Sequence, residues 1–236
     1  MKRGFINISI IVLIATLITG TLGAGGCRTG EPGTLEPVEI REYQGEDLSS
    51  INDFLRDNSI KGPQLIDIES YALKISGLVA EPTELSYQEV TENYPSYRKV
   101  VTLNCVEGWS VKLLWEGVLV SDLISQAGPS PETKIVIFHA QDGYTTSLPL
   151  DYIMNNSILM AYKMNGVTLP PERGFPFELV AESKWGYKWI KWVTEIELSD
   201  DTDYRGFWES RGYSDSADLD EGFFEEDFFD GGLFGE

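Results

Sequence analysis

Cys105 stands in the stretch VVTLNCVEGWSV (residues 100–111), at the end of an apolar β-like run and followed by a glutamate, a glycine and a tryptophan. Such a thiol can fill a core as a small apolar residue, act as a nucleophile, or bind a soft metal. A nucleophile needs a base, and the only histidine, His139, lies in the apolar run KIVIFHA, where alternation turns it toward a core. A structural zinc site is excluded, because one thiol and one histidine cannot supply four protein ligands. The only other cysteine, Cys27, follows the small residues Ala24, Gly25 and Gly26 in a pattern similar to a lipoprotein processing box. If Cys27 is consumed there, Cys105 has no disulfide partner and an exported chain keeps one free thiol.

The chain has 236 residues, long enough for one sizeable core, and a formal net charge of −20, which argues against nucleic acid and anionic membrane surfaces as partners. Lys2 and Arg3 followed by a mostly apolar run read as a targeting signal or an uncleaved anchor over residues 1–27. Either reading places the remainder outside the cytoplasm, tied to the membrane by a lipid or a helix. Residues 28–50 are rich in Gly, Pro and Glu without periodicity and read as a flexible linker. A folded domain is expected over 51–213. The tail 214–236 alternates acidic clusters with Phe pairs and is expected to be disordered.

The elements that must position Cys105 are short. Alternation predicts strands at YALKISGLV, 99–105, 110–115, KIVIFHA, ILMAYKM, 177–181 and 188–198, with QDGYTTSLPL as a loop. Short helices are predicted at ELSYQEVTENY, near 151–154, and from an N-cap at Ser121 to Gln126 before Gly128 and Pro129; Asn165-Gly166 reads as a hairpin turn. Many strands with few helices argue for an α+β domain of mixed and antiparallel sheet rather than a doubly wound one. Trp109, Trp115, Trp185, Trp189 and Trp192 sit in alternating contexts and are expected in the core.

TLNCVEGWSVKLLWEGVLVSDLI resembles the segment that carries the molybdenum-ligating cysteine in the sulfite oxidase family, especially its shorter branch of methionine sulfoxide reductase catalytic subunits. FHAQDGYTTSLPL, LMAYKMNGVTLPPERGFPFELV, KWGYKWIKWVTEIEL and GFWESRGY follow in the family's order, so the resemblance spans about 51–213. It implies a sulfite-oxidase-type molybdopterin-binding domain. Cys105 matches the thiolate on the metal, Glu107 an acidic residue beside it, and Tyr144 the active-site tyrosine. Arg173 falls at the polar position of a cofactor-binding loop and Lys191 at a family lysine by the cofactor, with Lys188 a candidate supplement. Arg56 and Asn58 resemble a pterin-contacting segment. Glu178 stands where relatives often carry an arginine that helps hold the cofactor phosphate, so that either another cation substitutes or Glu178 points away.

The resemblance implies an oxidoreductase transferring an oxygen atom to or from a small molecule: a sulfoxide, an N-oxide or sulfite. An acidic chain favours the neutral substrates. With no Cys-x-x-Cys-His haem motif and no cysteine cluster, electrons are expected to pass to or from a separate carrier, and the protein is expected to be a monomer. Two other readings stay open: a non-catalytic scaffold that keeps the fold without an active metal, and a thiol enzyme pairing Cys105 with His139.

Overall fold

The computed structural model describes residues 38–225. The signal or anchor expected over 1–27, the first part of the linker and residues 226–236 lie outside the described residues. Two five-stranded sheets carry the fold. In the first, β5 (Tyr97–Asn104), β6 (Ser110–Leu119), β9 (Leu159–Met164) and β10 (Val167–Thr168) lie in the order β10-β9-β6-β5, and β11 (Glu178–Val180) also pairs with β9; every pairing is antiparallel. In the second, β3 (Ala72–Gly77), β4 (Thr83–Ser86), β7 (Ile135–Ala140), β8 (Thr145–Pro149) and β12 (Val193–Ser199) lie in the order β4-β3-β12-β7-β8, with β12 and β3 parallel.

Alternation explains the strands that were legible. In β3, Leu73 and Ile75 are buried while Ala72 and Lys74 are exposed, the period of a half-buried strand. β6 is buried almost throughout its second half because it runs between β5 and β9; there Trp115 donates its indole N–H to Val101 O at 3.2 Å, and the buried Glu116 is held by Arg98 (2.6 Å) and Lys163 (3.1 Å). Helix α1 (Tyr87–Asn93) opens on a capping box between Ser86 and Glu89. Helix α2 (Val120–Ala127) starts two residues earlier than expected, from Leu119 and without a side-chain cap, so Ser121 lies inside it; Gly128 closes it in the left-handed conformation. Helix α3 (Leu150–Asn155) follows β8, which the sequence presented as loop. β12 begins at Val193, because Gly186–Lys188 form a 3-10 turn and Trp192 takes a φ of 58° that ends any extension of the strand backward.

Both ends of the domain reach beyond 51–213. Residues from Glu39 onward are docked: Glu39 Oε1 accepts from Ile51 N (2.7 Å) and from Asn165 Nδ2 (2.9 Å), and Ile40 N donates to Asn165 O at 2.8 Å. A small hairpin of β1 (Glu42–Tyr43) and β2 (Glu46–Asp47) follows. Asn165, in the β9–β10 turn with φ 47°, is fully buried and needs partners for its carboxamide, which this segment provides. Residues 39–50, expected in the linker, are thus docked on the domain by a polar pairing that no apolar periodicity announces. The described part of the acidic tail also folds back: Trp185 N donates to Ala217 O (2.8 Å), Lys184 pairs with Asp218 (2.6 Å), and Phe223 and Phe224 stack on Trp185 and Tyr213. Aromatic pairs hold 214–225 where charge alone suggested disorder.

Candidate active site

Cys105 is the first residue after β5, in the tight loop that returns the chain to β6. Its N–H donates to Trp109 O (2.9 Å) and its carbonyl accepts from Gly108 N (3.0 Å), with Gly108 at φ 84°, a conformation that favours glycine. The loop sets the thiol, 8% exposed, in the wall of a cleft of about 280 Å³. Sγ lies 3.7 Å from Asn58 Nδ2 and 3.9 Å from Glu107 Oε2. Burial, reinforced by the charge of Glu107, pushes the free thiol above its usual pKa, so a cation at sulfur is what would hold it as thiolate.

Glu107 has the opposite character. Hydrogen bonds from Trp109 Nε1 (3.2 Å) and Asn58 Nδ2 (3.4 Å) lower its pKa, and Arg56 stands 3.8 Å away, so this half-exposed carboxylate is ionised. Arg56 and Asn58 come from residues 54–60, a segment without helix or strand that is pinned across the cleft mouth. Phe54 packs edge-on against Trp109, and the buried Asp142 accepts from Ile60 N (3.3 Å) and Tyr144 N (2.9 Å). His139 pairs with Glu197 at 2.8 Å across β7 and β12 and is absent from the cleft lining, so the thiol–imidazole pair is not assembled.

Three tyrosines lie beyond the thiol. Tyr144 lines the cleft, yet its hydroxyl is donated to Tyr187 O at 2.5 Å, and Tyr187 donates in turn to Ser214 O at 2.8 Å. Tyr213 lines the cleft with its hydroxyl engaged by no hydrogen bond among the described residues, and burial together with the charges of Cys105 and Glu107 raises its pKa. The sequence signal for Tyr213 was its place in GFWESRGY, a block read for order rather than chemistry.

The other end of the cleft is cationic. Arg173, last residue of the 3-10 turn Pro171–Arg173, lies over the Phe54 ring at 4.0 Å. Lys191 donates to Asp57 and to Glu172 O, and Arg173 approaches the same Asp57 carboxylate at 3.9 Å. Asp57, between Arg56 and Asn58 in the chain, ties the two cations together. Gly174 follows at φ 93°; a Cβ there would meet Glu178 Cβ at 3.0 Å and Lys191 Cβ at 3.2 Å, so only glycine lets the loop close on them. Glu178, opposite Lys191 in an isolated bridge, belongs to the cleft lining and is 3% exposed, and Lys191 and Arg173 are the cations beside it.

Lys188 corrects the sequence reading. It does not line the cleft but is fully buried, donating to Glu209 Oε1 (2.5 Å) and Ser147 O (3.0 Å), because the turn Gly186–Lys188 aims it inward toward β8. Of the tryptophans, Trp115, Trp189 and Trp192 are buried, and Trp109 and Trp185 are half-buried; Trp109, Trp189 and Trp192 also line the cleft.

Comparison with known proteins adds three findings. Residues 60–208 match the oxidoreductase molybdopterin binding domain. An uncharacterized oxidoreductase, YuiH, of Bacillus subtilis (strain 168) is 38% identical over 152 residues, covering 64% of this chain and 76% of that protein. The crystal structure of the sulfane dehydrogenase SoxCD from Paracoccus pantotrophus shares the fold, with a TM-score of 0.58 and 24% identity over 66% of this chain and 43% of that one. The cleft suits the group that this domain binds. Its lining includes a soft donor, two cations tied to Asp57, and a buried carboxyl, Glu178, with an oxygen that has no hydrogen-bond partner among the described residues. Among the described residues no cluster of three or more His, Cys, Asp or Glu could hold a metal, so a metal at Cys105 would draw its other ligands from the bound group.

Proposed function

The chain belongs to the oxidoreductase molybdopterin-binding domain family, and from that premise we propose that it is an exported enzyme that reduces a small neutral sulfoxide or N-oxide at this cleft. The observation that carries the reading is the pairing of Cys105 with an ionised Glu107 at 3.9 Å, with the exposed Arg56 the one cation beside them among the described residues, while Lys191 and Arg173 are tied to Asp57. A negative charge beside the reacting centre disfavours sulfite and leaves a neutral S–O or N–O group unaffected. Cys105 would hold the metal, with Asn58 and Arg56 beside the thiol, and Lys191 and Arg173 would take the cofactor's anionic end.

When bound, molybdopterin supplies two-electron redox chemistry with oxygen-atom transfer at its metal. This chain's residues place and protonate the substrate. Reduction of a sulfoxide consumes two electrons and two protons and releases a sulfide and water. The Tyr213 phenol makes no hydrogen bond among the described residues and feels the charges of Cys105 and Glu107, so it, and not Tyr144, is the hydroxyl that bonds the substrate oxygen. Glu107 accepts and returns protons at the solvent side. The electrons come from a separate carrier, and the export signal over 1–27 keeps the enzyme at the membrane; mass spectrometry of the mature N-terminus, with or without a lipid on Cys27, tests that placement.

The molybdopterin-binding domain match and the oxidoreductase relative support an enzyme over a non-catalytic scaffold. The substrate reading is tested by turnover of the molybdenum-loaded protein with a reduced dye donor and a sulfoxide or N-oxide, against sulfite with an oxidised dye. Reduction at least about tenfold faster in kcat/KM than sulfite oxidation is expected; the reverse order would reject the reductase assignment.

A further inference from the structure

At the cationic end of the cleft a carboxyl group has nothing to bond. Glu178 is 3% exposed and its Oε2 has no hydrogen-bond partner among the described residues. Its position is fixed from three sides: β11 pairs it opposite Ala161 of β9, Lys191 bridges it, and the Gly174 turn closes over its stem. A buried polar oxygen without a partner is costly, unless what occupies the cleft supplies the partner.

The charges that face Glu178 are those of Lys191, Arg173 and Asp57. Two cations and one anion leave this end of the cleft with one positive charge if Glu178 is neutral and none if it is ionised. A phosphate monoester brings roughly −1.5 to −2 near neutral pH. It is drawn in by the first arrangement and gains no net attraction from the second. Burial already pushes the Glu178 carboxyl up to about 8, although Lys191 and Arg173 pull it down, and an added anion pushes it further.

We propose that Glu178 holds its proton in the loaded enzyme and donates that O–H to an oxygen of the cofactor's phosphate, completing with Lys191 and Arg173 a three-point grip. An acid at this position is then a hydrogen-bond donor that needs no additional cation. The inference rests on the reading of the cleft as the molybdopterin site.

The test uses the molybdenum-loaded protein and its Glu178→Gln variant, which keeps a neutral donor of similar size. Infrared difference spectra should show the C=O stretch of a protonated carboxyl in the loaded wild type and lose it in Glu178→Gln. Pterin retained after dialysis should fall in the wild type as pH rises, with the dissociation constant growing by up to about tenfold per pH unit above about 8. In Glu178→Gln it should stay level over the same range. A loaded wild type without that band, or a variant that sheds pterin already near neutral pH, would show that an ionised carboxylate accepts hydrogen bonds from the pterin instead, and the proposal would fail. If the variant does not fold, the wild type alone decides: the band must disappear in step with pterin release, and pterin release with the band unchanged overturns the proposal. Absence of both molybdenum and pterin at every pH would bring down the cofactor reading and this inference together, whereas pterin that stays bound regardless of protonation defeats this inference only.

Discussion

Two glutamates in one cleft, Glu107 and Glu178, are tuned in opposite directions. Glu107 sits in an exposed hairpin loop, where the Trp109 and Asn58 N–H groups and Arg56 stabilise its charge and lower its pKa. Glu178 sits in a buried strand with no donor to its Oε2 among the described residues, and its pKa rises to about 8. The same side chain is thus an anion beside the thiol and a neutral acid beside the cations. Environment, not residue type, sets the two carboxyls apart, and it underlies the proposal that one end of the cleft handles protons and substrate while the other grips an anion.

The contrast can be broken at several points, the largest effect being one that should leave the cleft alone. Lys188→Ala strips the partner from the buried Glu209 and is expected to cost about 3–5 kcal/mol of stability, seen as a lower midpoint in denaturant. Molybdenum per folded chain should stay the same, and a loss of molybdenum without a loss of stability would put Lys188 back at the cofactor. In cofactor-free protein the raised carboxyl of Glu178 gives a pH signature. Its stabilising contribution is complete below the ordinary value of 4.5 and is lost as pH rises toward about 8. Melting curves should show the wild type losing a few kcal/mol relative to Glu178→Gln across that window. A difference that grows toward acid would mean that Glu178 is ionised in the fold.

Lys191→Ala removes a charge-assisted donor at the anion end and should weaken cofactor retention by about 2 kcal/mol, roughly thirtyfold. The change should show in pterin content more than in turnover per molybdenum. At the thiol end, Tyr213→Phe should lower kcat by about tenfold, while Tyr144→Phe, which loses only a bond to the Tyr187 carbonyl, should shift stability by about 1 kcal/mol and leave kcat close to wild type. Equal kcat losses from both would return the substrate role to Tyr144.

The sequence made the strands of the inner sheets legible because their burial follows alternation, as in β3, and it placed Cys105, Glu107, Asn58, Arg56, Arg173, Tyr144 and Lys191 around one cleft, where the fold brings them together. What it obscured has a common cause. The docking of Glu39 on Asn165, the inward turn of Lys188 onto Glu209, and the Asp57 link between Lys191 and Arg173 are polar pairings between residues distant in the chain. Such pairings leave no mark on hydropathy. The same holds for β8, a short edge strand in which two threonines and a serine hide the alternation, and for Tyr213, whose unengaged hydroxyl is visible only once the Tyr144 hydroxyl is seen to be spent on a carbonyl.

The central claim is that Cys105 carries the metal of a bound molybdopterin. Protein matured in a host that makes this cofactor should contain about one molybdenum and one pterin per chain, and Cys105→Ser should lose molybdenum by at least about tenfold while its melting temperature stays near that of the cofactor-free wild type. Wild-type protein without molybdenum under those conditions, or a serine variant that keeps it in full, would contradict the account.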